Sequence, residues 1–213
     1  MKALKVIGCA GVLLLAGCVD NYVSIEVLGA KPFELDFVEI DDEVMVMCAV
    51  PSPGDELQLP QGWIDFEDDF YTYVQPFEVR NNLPRNDTDV GRLNTNNFTL
   101  ERMVVEYSGL PGRDSVTNAL DGFETVVNFT GVISSDGGSV VLPLTLMPDF
   151  RGRAIQTAVV PSSGSTETII AKFYLEGHTN AGRSISTGTI EFPITIGFQS
   201  GICDDGRCDC YRQ

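Results

Sequence analysis

Apolar and polar residues alternate along most of the chain with a period of two, the spacing of a half-buried β-strand. In residues 22–28, Val23, Ile25 and Val27 fall on one face and Tyr22, Ser24, Glu26 and Leu28 on the other. Similar runs cover 33–40 and 43–50, with Asp41-Asp42 as the turn between them. Further strands are expected over 70–79, 98–107, 122–133, 139–146, 168–175 and 188–198. In the last of these, Ile190, Phe192, Ile194 and Ile196 share one face, and Pro193 marks an edge or a bulge. Turn-forming clusters separate the runs at 51–54, 81–97, 110–114 and 134–138. The final two runs read as a long hairpin around residues 177–182, a loop that would carry His178.

One segment departs from this rhythm. Over 148–159, Phe150, Ala154, Ile155 and Ala158 fall at helical spacing, with Asp149 placed to cap and Gly152 weakening the pattern. About ten short strands and a single helix give the expectation of an all-β fold. The expected form is an Ig-like two-sheet antiparallel sandwich with one short crossover helix. No linker divides it, so one domain over 22–200 is preferred to two small Ig-like units, with a Cys-rich tail at 201–213.

The N-terminus carries an address. Lys2 and Lys5 precede an apolar run from Val6 to Gly17. As a helix, that run is roughly 18 Å long, too short for a hydrocarbon core of about 30 Å. A basic start, a Leu-rich centre and small residues at the end describe a secretory signal. Its last residues, Leu15-Ala16-Gly17-Cys18, resemble the lipobox of bacterial lipoproteins. That resemblance implies cleavage after residue 17, diacylglycerol on the Cys18 sulfur and an acyl chain such as palmitate on the new amine. At roughly 0.8 kcal/mol per buried CH₂, two or three chains would hold the protein to a bilayer. Residues 18–21 would be a short lipidated tether. Val19, where the inner-membrane retention signal of enteric lipoproteins has Asp, points to the outer membrane.

Six cysteines then sort by position. Cys9 leaves with the signal and Cys18 takes the lipid. Cys48, Cys203, Cys208 and Cys210 remain, an even set in an exported chain, and two disulfides are expected. Cys208 and Cys210 are too close to pair with each other without strain. Cys48 with one tail cysteine, and a second bridge within the tail, is the favoured scheme. The C-x4-C-x-C spacing is not that of a zinc knuckle, and no metal is expected.

Charge narrows the function. The formal charge of −16 becomes −18 once Lys2 and Lys5 leave with the signal. No nucleic-acid partner is expected from such a surface. His178 is the lone histidine, no G-x-S-x-G elbow occurs, and Gly-rich phosphate loops are missing from the sequence. Carboxylates are the abundant reactive groups. The densest patch is Trp63, Asp65, Glu67, Asp68, Asp69 and Tyr71, where acids beside aromatic rings could bind or cleave a sugar. The plainer reading is that the rings pack inward and the acids stay wet. The polar stretch 81–97 is a second candidate contact surface.

The mature part resembles uncharacterised lipoproteins of myxobacteria and their relatives. The likeness rests on an early strand cysteine, Gln61-Gly-Trp-Ile-Asp65, Tyr71 or Tyr73, Phe77-x-Val79-x-Asn81-x-Leu83 and Asn97-Phe-Thr-Leu100. It extends to the 173–182 hairpin, the Phe192-Pro193-Ile194 strand and the Cys-rich end. It implies a β-sandwich and an envelope location, and carries no activity, cofactor or catalytic residue. The expectation is therefore a lipid-anchored, non-catalytic module with a structural or binding role. Its partners would be the membrane, through the lipid, and an envelope protein or glycan. The rivals are a carboxylate-based carbohydrate-active enzyme and an accessory subunit of an envelope complex.

Overall fold

A computed structural model describes residues 24–40, 43–54, 58–65, 71–85, 95–109, 124–158 and 166–197. The chain runs β1 (Ile25–Ala30), β2 (Glu34–Ile40), β3 (Glu43–Ala49), β4 (Gly62–Asp65), β5 (Tyr73–Asn81) and β6 (Phe98–Gly109). It continues with β7 (Thr125–Ile133), β8 (Gly138–Met147), helix α1 (Asp149–Ala158), β9 (Thr166–Thr179), β10 (Ser184–Ser186) and β11 (Ile190–Gly197). Three strands form a small sheet in the order β1-β5-β8. A larger sheet runs β4-β11-β9-β6-β7, with β10 also paired to β9, and curls into a half-barrel. β2 and β3 make a separate antiparallel hairpin. α1 carries the chain from the small sheet to the large one.

The two sheets share one core, giving a sandwich-like body. Along β5, Tyr73, Phe77 and Val79 point into it, and the Phe77 ring packs edge-on against Phe173 of β9 and Phe192 of β11, at 5.0 and 5.3 Å between centroids. Tyr107 of β6 reaches across to donate a 2.7 Å hydrogen bond to the Leu146 carbonyl of β8. Such cross-sheet contacts, between side chains that alternate inward along each strand, bury the apolar set the pattern marked out.

The outer face of β5 is covered as well. Val74 packs with Phe33 and Cys48, so the approach to the hairpin and its last residues lie over the small sheet. Beside them Lys31 Nζ meets Glu78 Oε2 at 3.2 Å, both side chains 3% exposed. Glu78 Oε1 is buried with no hydrogen bond of ordinary geometry. Burial pushes the Glu78 carboxyl up, but the Gly54 backbone N–H, the Lys31 ammonium and the Ser139 hydroxyl outweigh it and hold the carboxyl below its ordinary value.

α1 has acidic Asp149 in its first turn, where it complements the helix dipole, and Arg153 bonds back to it at 2.8 Å. Ile155 anchors the helix in the core. Gly152, a weak helix former, is required by packing: a Cβ there would collide with the Tyr71 carbonyl oxygen.

Three expectations need correction. The sandwich is not wholly antiparallel, because β4 lies parallel to β11. Pro193 precedes the residues 194–197 that β4 pairs with, so β11 is still an edge at the proline. His178 is on strand β9 and not in a loop; the turn falls later, with Gly182 at φ 81°. The expected pair of disulfides is also corrected: among the described residues no two Sγ atoms stand at bonding distance. Cys48 is the one expected disulfide cysteine among them. Cys203, Cys208 and Cys210 lie outside the described residues, so neither bridge of the expected scheme is drawn.

Candidate functional site

The acid-and-aromatic patch does not assemble as one surface among the described residues. β4 alternates, turning Ile64 into the core and Trp63 outward at 38% exposure. Tyr71 goes the other way, 5% exposed, with its backbone against α1 and the Arg153 guanidinium 4.5 Å above its ring. Trp63 and Tyr71 therefore offer no shared sugar platform. Asp65 closes β4, and Glu67, Asp68 and Asp69 lie outside the described residues.

His178 pairs through Nδ1 with Glu101 Oε1 at 3.0 Å. It belongs to a polar outer face on the large sheet that also carries the ion pairs Arg102–Glu176 and Lys172–Glu191. Half-exposed pairs of this kind contribute little stability. Among the described residues no group of three or more His, Cys, Asp or Glu is arranged to hold a metal.

A different site lies where β5, β7 and the 81–97 stretch meet. Asn81 is fully buried and ties them together. Its Nδ2 donates to the Asn96 and Ile133 carbonyls at 2.9 and 3.1 Å, and its Oδ1 accepts from the Leu83 N–H at 3.0 Å. From the β7–β8 turn, Asp136 N–H donates to the Leu83 carbonyl and Gly137 N–H to the Asn81 carbonyl. Asp136 and Gly137 both have positive φ, 65° and 79°, as a primed two-residue turn requires. Asn97 Oδ1 accepts from Ser135 N–H at 3.2 Å.

These bonds fix the walls of an open cavity of about 470 Å³ lined by Arg85, Asn97, Ser134, Ser135, Asp136, Gly137 and Gly138. One guanidinium, one carboxylate, two hydroxyls and an amide make it a polar recess. It can exchange hydrogen bonds with a hydrophilic ligand and presents no nucleophile with a base beside it. The sequence marks both the loop and the turn cluster, but no local pattern sets Arg85, Ser134, Ser135 and Asp136 apart within them. Their approach depends on Asn81, whose isolated sequence context gives no sign of it.

The recess shares its end of the sandwich with the start of the first strand, since Asn82 N–H donates to the Ser24 carbonyl at 2.8 Å. Searches against protein-family models, curated proteins and solved structures find no match to this chain.

Proposed function

We propose that this chain is a lipid-anchored protein of the bacterial cell envelope, an Ig-like sandwich with a structural or binding role and no catalytic activity. The observation that carries the reading is Leu15-Ala16-Gly17-Cys18 at the end of a short basic-then-apolar leader. The fold adds a geometric consequence. Six residue steps separate Cys18 from Ser24, a reach of at most about 20 Å. The polar recess beside Ser24 would then sit close to the bilayer that holds the lipid, facing head groups or an envelope glycan. Val19 favours the outer membrane.

Mass spectrometry of the protein from its own host's membranes tests this. The expected mature N-terminus is a diacylglyceryl-modified Cys18, in the outer-membrane fraction, with Cys18→Ser abolishing both the lipid modification and the cleavage after residue 17. A mature chain starting elsewhere, or wild-type protein that washes off without detergent, overturns it.

A further inference from the structure

The edges of the two sheets are unequally protected. β4, one border of the large sheet, is only four residues long. β8, a border of the small sheet, carries Pro143, which has no N–H to offer. At β1, the opposite border, the Ala30 carbonyl already accepts the Leu59 N–H. β7 is different. It pairs with β6 on one side and, among the described residues, with no strand on the other. Its nine residues, TVVNFTGVI, contain no charge and no proline in a chain of net charge −16. Native edges are usually blocked by such residues, and β7 has only the irregularity opposite Leu100–Arg102.

The exposed positions on β7 are Val126, Asn128, Thr130 and Val132, in unbroken alternation with the inward ones. Val126 is 47% and Val132 61% exposed. These positions are symmetric about Phe129, the middle of the strand. An antiparallel pair of β7 strands related by a two-fold axis through Phe129 sets Val126 against Val132 of the other copy, and Asn128 against Thr130. Apolar residues meet apolar ones, polar residues meet polar ones, and no like charges oppose one another. Glu124, just before the strand, falls opposite Ser134.

We infer that β7 is a self-association edge, at which a second copy of this chain adds its own β7 to make one continuous sheet. The inference does not depend on the lipid anchor. If both copies are lipidated in one leaflet, the two-fold axis must lie along the bilayer normal, because an axis in the bilayer plane would carry one anchor to the opposite side. A nine-residue edge contact is at the low end of interface size, so the dimer is a reversible one. Association tightens as salt is raised, since two strongly acidic bodies repel less when screened.

Sedimentation velocity on the full chain in mild detergent is the test. Wild-type protein is expected to reach twice the mass of the 23.2 kDa chain as concentration rises. Val132→Lys or Thr130→Lys, at exposed sites, should weaken the dimer about tenfold or more while circular dichroism stays unchanged. A double variant carrying Val126→Glu and Val132→Lys should recover association, because opposite charges then face each other across the axis. A wild-type monomer at the highest soluble concentration, a dimer indifferent to either lysine, or no recovery in the double variant overturns the inference.

Discussion

Replacing Lys31 by Met tests the largest electrostatic commitment in the fold. The Lys31–Glu78 pair is shut off from water at 3.2 Å, and one carboxylate oxygen is already without a good hydrogen bond. Removing the ammonium strands a buried charge, which typically costs about 3–5 kcal/mol. For a domain of this size that corresponds to a fall in Tm of roughly 6–20 °C. Adding Glu78→Leu removes the stranded charge, and the double variant should return to within about 1–2 kcal/mol of wild type or exceed it.

The pH dependence gives a second, independent sign. In the wild type the Glu78 carboxyl sits below its unfolded value. The unfolded state therefore takes up its proton first, and the pair's stabilisation, complete above the unfolded value, is lost as pH falls through the folded one. Without Lys31, burial is opposed only by the Gly54 N–H and the Ser139 hydroxyl, so the carboxyl moves up and this residue should lose less stability on acidification than it does in the wild type. Urea unfolding of wild type, Lys31→Met and the double variant between roughly pH 3 and pH 7 reads both effects. A loss below about 1 kcal/mol for Lys31→Met, with no change in the pH slope relative to the double variant, would refute the reasoning.

Asn81→Leu keeps the branched heavy-atom shape but removes three hydrogen bonds at the recess, and denaturant unfolding should show a loss of about 3 kcal/mol or more. Tyr107→Phe deletes the bond to the Leu146 carbonyl and should cost about 1–2 kcal/mol. Burial pushes the Tyr107 phenol up, with Thr125 and Arg151 acting the other way. Its contribution is thus present below the unfolded value and fades as pH rises past it, and an alkaline absorbance titration should find one tyrosine resisting ionisation until the protein unfolds. Gly152→Ala, normally favourable within a helix, should lower Tm because its Cβ collides with the Tyr71 backbone.

Much of the fold is legible in the sequence because most strands are half-buried and alternate. The β2–β3 hairpin, the long β9 and α1 follow from local pattern and turn chemistry alone. β4 and β10 escape because each has too few apolar residues to display a period: Trp63 and Ile64 in one, Ile185 in the other. β4 further depends on a parallel partner more than a hundred residues away. Lys31 and Glu78 look like wet surface, since whether a charge is covered depends on distant chain, here Gly54 and the small sheet's neighbours. The candidate site is legible only in outline, as a polar loop and a turn. Which residues converge is decided by Asn81, and nothing in a linear pattern distinguishes a buried asparagine from an exposed one. Tyr71 could be read either way, and packing against α1 decided it.

Gly177 of β9 sits opposite Leu100 of β6. A Cβ at that position would strike the Thr99 carbonyl oxygen and crowd the Phe98 ring. Sliding β9 by two residues would keep every side chain on its proper face, yet it would bring Leu175 or Thr179 into that gap. Sliding by one would turn the whole apolar row outward. The longest strand in the protein thus has a single seating, and a misaligned intermediate is rejected by collision as the sheet closes.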